Sequence, residues 1–292
     1  MTTAPITIEP LGGLGNQLFV YATGLELAQM VNAPLHADTS GFVNYEWHEF
    51  ELDSFENSID SLHVNRPRTQ LYHRFTQNRF LDPVRYATGA KLFIERKPLF
   101  DPRLLELGPG ARLRGFFQSP KYFPTVADKV RQQTANIDSP TSWYLETCAQ
   151  LDELGPWLGV HVRRGNYTTV PGMGLADFSY YAEAIQLVGK CVGSLPTVVF
   201  SDDPTEAANI LRPSLGGNWL LIKSPENSRP IESMNLMRRA AHLVIANSTF
   251  GWWGAWLGDS PERMVIYPRP WLDFRWHNDR DLIPTGWISV SR

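Results

Sequence analysis

Two adjacent arginines near the middle of the chain have the chemistry and the setting of an anion site. Arg163 and Arg164 follow the run Leu158–Val162, which predicts a buried strand, and they precede Gly165. Arginine presents a planar fork of donors that matches phosphate oxygens, and it stays charged at physiological pH. We therefore predict an anion site at this strand end. The alternative is a set of ordinary surface ion pairs, which contribute little to stability.

A second candidate phosphate site follows another predicted strand, at residues 243–246. Asn247, Ser248, Thr249 and Phe250 come directly after this strand and precede a predicted helix. Hydroxyl groups and the N–H groups of a helix start can hold a phosphate. Simple helix capping is the alternative for the same residues. The phosphate interpretation gains support because both strands are predicted to lie in one sheet.

A glycine-rich turn connects the first predicted strand, residues 6–8, to a helix that begins near Gln17. The turn reads Leu-Gly-Gly-Leu-Gly-Asn-Gln over residues 11–17. Such a turn brings backbone N–H groups and the positive end of a helix dipole towards a ligand. Its spacing matches neither the dinucleotide fingerprint nor a P-loop. A tight structural turn is the alternative, and the amide of Asn16 can either cap the helix or face a sugar.

The second half of the chain alternates short apolar runs with helical patterns, which predicts a parallel sheet covered by helices. Ligands bind such sheets at the carboxyl ends of the strands. Asp202 and Asp203 lie at one of these ends, and Asp203 is equally suited to cap the helix that begins at Pro204. The predicted strands cover residues 158–162, 197–200, 219–222, 243–246 and 265–267. The predicted helices cover residues 180–188, 204–211, 231–241 and 252–257.

The chain length of 292 residues suits two α/β domains. We predict that the first domain covers residues 1–155 and the second covers residues 156–292, because Gly155-Pro156 is a typical boundary signal. The Asp-Ser-Pro-Thr stretch at residues 138–141 is the alternative boundary.

Composition excludes several classes of protein. The formal net charge is −3 and the pI about 6.2, so nothing supports nucleic-acid binding. The two cysteines, Cys148 and Cys191, suggest neither a disulfide framework nor a zinc site. The sequence shows no signal peptide and no apolar run that approaches the ~20 residues needed to span a bilayer. We expect a cytoplasmic protein, and peripheral contact with the inner face of the membrane stays open.

Three ordered motifs resemble those of the α-1,2-fucosyltransferases: GGLGNQLFVYATG at residues 12–24, HVRRGNY at 161–167 and ANSTFGWWGAWLG at 246–258. The resemblance implies a GT-B-type α/β fold with two Rossmann-like domains facing a cleft, the first on the acceptor side and the second binding GDP-fucose. It also implies transfer of L-fucose, with inversion, to the 2-hydroxyl of a galactose-type glycan acceptor. Neither a metal nor another cofactor is implied. The alternatives are a GT-B enzyme with another nucleotide sugar and a non-catalytic protein that binds a GDP-sugar or a glycan.

The same resemblance implies roles for individual residues. Arg163 would grip the β-phosphate, supported by Arg164, and His161 would lie near the ribose or guanine. Asn16 would face the fucose and the attacking hydroxyl. Phosphate contacts on the other side would come from Ser248, Thr249 and the backbone through Phe250. Further substrate contacts are expected from Gly13, Gly15, Gln17, Asp202, Asp203, Glu232 and Asn247.

Two positions depart from the family pattern. Asn166 stands where the family usually has aspartate. An aspartate base at this position would be lost here, but we expect the position to orient the loop, because asparagine keeps most of the hydrogen bonds of aspartate. Asp177 is the candidate base, although it is slightly better suited to cap the following helix. Ser233 replaces the second member of an acidic pair, which leaves Glu232 as the candidate that reads guanine.

Overall fold

A computed structural model describes residues 3–42, 45, 47–55, 59–63, 91–215, 219–258, 260–274 and 278–292. The chain divides into two units. Unit 1 contains Met1–Asn136 and Arg280–Leu282, and unit 2 contains Ile137–Asp279 and Ile283–Arg292. The division falls close to the alternative boundary at 138–141, and the predicted boundary at 155/156 is therefore too late.

The first unit is built on a parallel sheet whose order is β3-β2-β1-β5-β4 among the described residues. Helix α1 packs against β1, and almost all of its residues are buried, as expected for a helix that is apolar on every side. Gly24 permits this approach, because a Cβ atom there would lie 2.4 Å from Ile8. The elements are β1 (Ile6–Ile8), α1 (Leu14–Met30), β2 (Leu35–Asp38), β3 (Ile59–His63), β4 (Leu92–Ile94), β5 (Arg112–Arg114) and α2 (Ala127–Ala135).

Residues near the end of the chain return to the first unit. The buried Asp281 carboxylate accepts hydrogen bonds from the Phe100 amide at 3.1 Å and the Lys121 ammonium at 2.7 Å. The Asp281 carbonyl accepts a third from the Ser119 hydroxyl at 2.6 Å. These bonds explain why Arg280–Leu282 belongs to unit 1 although both flanking segments belong to unit 2.

The second unit carries a parallel sheet of order β11-β10-β9-β6-β7-β8 among the described residues. Its strands are β6 (Leu158–Val162), β7 (Thr197–Ser201), β8 (Trp219–Ile222), β9 (His242–Val244), β10 (Val265–Arg269) and β11 (Ile288–Ser291). Its helices are α3 (Ser142–Glu153), α4 (Phe178–Val192), α5 (Pro204–Leu211), α6 (Pro230–Met237) and α7 (Thr249–Trp256). The predicted alternation of strands and helices is confirmed. Strand β11 was not predicted, because its short run alternates with polar residues.

Both sheets reverse their strand order at one point, and this point locates the expected ligand site. In unit 2 the chain moves outward from β6 to β7 and β8, then resumes at β9 on the other side. In unit 1 the reversal lies between β1 and β5. Ligands of such sheets bind beside the carboxyl ends of the strands at this switch point. Among the described residues, no helix has the length and apolar character needed to cross a membrane.

Candidate functional site

Arg163 lies at the switch point of unit 2, directly after β6. Its guanidinium forms an ion pair with Asp202, with Nη1 2.9 Å from Oδ2. Asp202 follows the neighbouring strand β7, and its other oxygen accepts the Arg164 backbone N–H at 2.8 Å. The guanidinium carbon also lies 5.3 Å from the centre of the Tyr167 ring, a cation–π distance. One carboxylate and one ring therefore orient Arg163 at the strand end.

The ion pair agrees with the alternative interpretation of Arg163, but its setting is not that of a typical surface pair. The Arg163 side chain is only 21% exposed and Asp202 26%. Both follow the ends of paired strands, with Val162 opposite Ser201. Asp202 thus orients Arg163 by direct contact. The prediction that Asp202 contacts the nucleotide stays a prediction.

Arg164 is buried and points into unit 2. Its Nη2 donates to the Ala176 carbonyl at 2.9 Å, which fastens the loop before α4. This contact is consistent with a supporting role for Arg164 rather than direct contact with an anion.

His161 lies beneath the start of α7. Its side chain is buried, and a Cβ atom on Gly251 would lie 2.5 Å from its Nδ1 atom. Burial, followed by the positive charge of Arg163, lowers the pKa of His161 to about 3. The imidazole is therefore neutral at physiological pH, and Gly251 is the residue that leaves room for it. Close packing of this helix at Gly251 is what a glycine in the third motif predicts, but the sequence did not identify His161 as the neighbour.

Ser248 begins α7 and caps it. Its hydroxyl accepts the Phe250 backbone N–H at 3.3 Å, and its carbonyl accepts that of Trp252 at 2.9 Å. The capping alternative is thus confirmed for Ser248. The positive end of the α7 dipole lies after β9, beside β6 in the sheet, where an anion would be stabilised. The phosphate roles of Ser248, Thr249 and Phe250 stay predictions.

Asn247 holds loops together. Its amide nitrogen contacts the carbonyl oxygens of Met173, Gly174 and Trp271 at 2.6, 2.7 and 2.8 Å. The residue is buried. Its amide nitrogen is therefore occupied by backbone carbonyls and holds the loops, and the predicted contact of Asn247 with substrate stays a prediction.

Helix α1 begins at Leu14, three positions before the predicted start, so Asn16 and Gln17 lie in its first turn. The Gln118 side chain donates to the Asn16 oxygen at 3.0 Å and joins the glycine turn to the loop after β5. Gly15 is buried, and Gly13 is the N-cap of α1. The sugar-facing role of Asn16 and the ligand contacts of Gly13 and Gly15 stay predictions.

Gln17 is fully buried and serves the fold. Its amide nitrogen donates to the carbonyls of Gly12 at 2.7 Å and Glu49 at 2.8 Å. Its oxygen accepts the Glu51 backbone N–H at 2.9 Å. Because these bonds use both donors and the oxygen, the prediction that Gln17 contacts substrate is wrong. The residue fastens the segment at 49–51 to the glycine turn.

Two of the predicted acidic site residues are helix caps. Asp203 accepts the Glu206 backbone N–H at 2.9 Å and begins α5. Asp177 accepts the Ser179 hydroxyl at 2.6 Å and the Tyr180 N–H at 3.2 Å, and it begins α4. The Ser179 hydrogen bond holds the pKa of Asp177 below its usual value, which makes Asp177 a weaker base. The geometry thus favours the cap over the predicted catalytic base.

Replacing Asp177 with alanine is expected to lower the free energy of unfolding by about 1 kcal/mol, the usual cost of losing a helix cap. The folded pKa lies below the unfolded one, so the contribution is present at neutral pH and is lost in acid. Chemical denaturation at pH 7 and pH 3 measures this difference. The pH–rate profile of transfer should not change, and a lost acidic limb would instead identify Asp177 as the base.

Glu232 is fully buried and holds two helix starts. One carboxylate oxygen accepts the Thr141 backbone N–H at 2.7 Å. The other accepts the Thr141 hydroxyl at 3.1 Å and the Arg229 N–H at 3.0 Å. Thr141 caps α3 and Arg229 precedes α6. The carboxylate is occupied within unit 2, which contradicts the prediction that it reads guanine. The hydrogen bonds to Thr141 also join the start of α3 to α6 within unit 2.

Two further observations complete the site. The backbone of Asn166 lies in the short 3-10 turn Gly165–Thr168, and its side chain is outside the described part of the structure. Tyr167, whose ring lies near Arg163, was not predicted. An aromatic residue four positions after an arginine at a strand end was the available signal.

Comparison with known proteins gives a consistent result. The sequence profile of glycosyl transferase family 11 matches residues 109–291. The chain is 28% identical over 305 residues to the O-antigen biosynthesis glycosyltransferase WbnK of Escherichia coli, covering 96% of this chain and 98% of that protein. It is also 28% identical over 292 residues to an alpha-1,2-colitosyltransferase of Escherichia coli, covering 96% and 97%. Crystals of the NodZ alpha-1,6-fucosyltransferase soaked with GDP-fucose show a similar fold, with a TM-score of 0.54 at 14% identity and coverage of 88% and 93%.

Two doubly wound parallel sheets, in a fold shared with NodZ, define a GT-B-type α/β fold. The predicted α/β fold class is confirmed. The chain belongs to glycosyl transferase family 11, whose profile matches more than half of its length. The resemblance of its motifs to those of the α-1,2-fucosyltransferases is confirmed at the level of this family.

Proposed function

We propose that this enzyme transfers L-fucose from GDP-fucose to the 2-hydroxyl of a galactose-type acceptor, with inversion and without a metal ion. The observation that carries the proposal is the arrangement at the unit 2 switch point. Arg163, oriented by Asp202, follows β6, and the capped start of α7 follows the adjacent strand β9. Together they offer positive charge to a diphosphate. The predicted cytoplasmic location is part of this proposal.

The chemistry follows from the leaving group. When the bond between the sugar and GDP breaks, negative charge develops on the β-phosphate. The Arg163 guanidinium and the N-terminal dipole of α7 are fixed donors that stabilise this charge. Neutral His161 fits beneath the helix start and contributes no charge of its own, so the positive charge comes from Arg163 and the helix. In this mechanism the arginine performs the role for which many transferases use a divalent cation.

The donor sugar is the first question for experiment, because one relative is named an alpha-1,2-colitosyltransferase and another is an O-antigen glycosyltransferase. GDP-fucose is our proposed donor, on the resemblance of the three motifs. GDP-colitose is the second candidate. An O-antigen-type glycan with a galactose residue is the proposed class of acceptor.

The test is an assay with purified enzyme in EDTA. GDP-fucose, GDP-colitose, GDP-mannose and UDP-galactose are each supplied with a panel of β-galactosides, and nucleotide release and product linkage are measured. We expect transfer from GDP-fucose with formation of an α-1,2 linkage. A preference for another donor would identify a transferase with a different nucleotide sugar. GDP binding without transfer across the panel would favour a non-catalytic binding protein, and activity only after metal addition would contradict metal independence.

A further inference from the structure

The short segment at residues 47–51 packs against the glycine turn of unit 1. Gln17 bonds to the carbonyl of Glu49 and to the N–H of Glu51. The His48 ring lies against Gly13, where a Cβ atom would be 3.1 Å from the ring. The glycine turn follows β1 at the switch point of this sheet. The segment is therefore held at the place where a doubly wound sheet binds its ligand.

The groups exposed around this switch point are of the kind that bind sugars. Trp47 is 62% exposed on the segment, and Phe116 is 41% exposed in the loop after β5. Both are large rings that a folded protein tends to cover. The Gln118 amide, in the loop after β5, donates a hydrogen bond to the Asn16 amide oxygen in the first turn of α1. Aromatic faces with a few fixed polar groups are the usual lining of small-molecule sites.

Glu51 is a carboxylate in this segment that the fold does not explain. Its Oε2 atom is buried and has no hydrogen-bond partner among the described residues. Buried polar atoms normally have partners, so this oxygen is available to accept a proton. Burial, followed by the charges of Glu49 and Asp53, raises the pKa of Glu51 to about 7. Gln17, which packs against it from α1, is neutral.

We propose that Trp47 forms a stacking surface for the acceptor sugar and that the Glu51 carboxylate accepts the proton of the attacking hydroxyl. This inference rests on the proposed transferase function. The acceptor oxygen forms a bond to the anomeric carbon of the donor as its proton moves to Glu51. The bond from the anomeric carbon to the phosphate oxygen breaks, and GDP leaves with the electron pair. The proton then passes from Glu51 to solvent.

The first test is the acidic limb of the pH–rate profile, where a protonated base no longer works. Wild type should lose rate as the pH falls below neutral. Glu51→Gln should reduce kcat by about 10²–10⁴-fold and remove this limb. Glu49→Gln removes a like charge but no proposed catalytic group. It should keep the plateau rate and move the limb to lower pH. Asp53→Asn should produce a smaller shift in the same direction.

Glu95 provides a matched control. Its pKa is also raised by burial, but its carboxylate accepts the Phe116 backbone N–H at 2.7 Å and so supports the loop after β5. Glu95→Gln should leave the acidic limb in place. If Glu49→Gln leaves the limb unmoved, or if Glu51→Gln keeps it, Glu51 is not the proton acceptor. The Glu49→Gln experiment tests the proposal even if Glu51→Gln fails to fold.

The second test addresses Trp47. Trp47→Ala should raise KM for the acceptor about tenfold, which corresponds to about 1.4 kcal/mol of lost binding, and Trp47→Phe should restore most of it. KM for the donor and the slow hydrolysis of the donor by water should not change. An unchanged acceptor KM would contradict the stacking role. Failure of wild type to transfer from any donor would overturn the proposed function itself, whereas normal variants in an active enzyme would overturn only this inference.

Discussion

Replacing Arg163 with alanine is expected to reduce kcat for sugar transfer by about 10²–10³-fold, the usual effect of removing one fixed donor from a developing charge. Arg163→Lys keeps the positive charge but loses the planar fork, so it should recover only part of the rate. Steady-state kinetics at saturating donor measure kcat, and calorimetry with GDP measures the loss of ground-state affinity. A larger loss in kcat than in GDP affinity would show that Arg163 acts mainly in the transition state.

Two controls separate the chemistry of Arg163 from its position. Asp202→Asn leaves the arginine in place but weakens the ion pair that orients it, so a smaller loss of kcat is expected. Arg212→Ala removes an exposed arginine at the end of α5, and it should have no effect on kcat. Near-normal turnover in Arg163→Ala would remove this residue from the mechanism.

Of the substitutions predicted here, Glu232→Ala is expected to lower the free energy of unfolding most, on the order of 3 kcal/mol. It leaves buried donors at two helix starts without their charged acceptor. The GDP affinity of the folded fraction should not change. Urea denaturation measures the first quantity and calorimetry at low temperature measures the second. Glu183→Ala, an exposed change on α4, is the control and should alter stability by no more than about 0.5 kcal/mol.

The opposite result would restore the role that sequence reasoning gave to Glu232. If Glu232→Ala kept its stability but bound GDP much more weakly, and lost its preference for guanine over other bases, the carboxylate would contact the nucleotide. The two outcomes cannot be confused, because one appears in the unfolding curve and the other in the binding curve.

The second sheet was predictable because its strands are buried on both faces and therefore appear as short continuous apolar runs. The positions of Arg163 and Ser248 followed from that prediction, since the residue after a parallel strand lies at the same edge as the residue after its neighbour. The sequence predicted the position of Arg163 but not the two residues that orient it. Tyr167 lies four positions along the chain, but Asp202 follows a different strand.

The buried polar residues were not predictable in the same way. Gln17 bonds to the backbone of Gly12 and Glu49, and Asn247 bonds to that of Trp271. Every residue has a backbone carbonyl, so no residue type marks these partners in the sequence. A polar side chain beside a ligand motif is therefore easily mistaken for a ligand contact when it only holds the loop. The same limit applied to Glu232, whose hydrogen bond to Thr141 links the starts of α3 and α6.

The return of Arg280–Leu282 to unit 1 makes the two units inseparable by a single cut. A protease that cleaves between Asn136 and Ile137 leaves the chain from Ile137 onward with three residues still bound in the other unit. Strand β11 follows Arg280–Leu282 in the chain. The chain therefore passes through unit 1 before it supplies the edge strand of the second sheet. A fragment made from residues 137 to 292 would carry the buried Asp281 without its unit 1 partners Phe100, Ser119 and Lys121, so expression and engineering should keep both units in one chain.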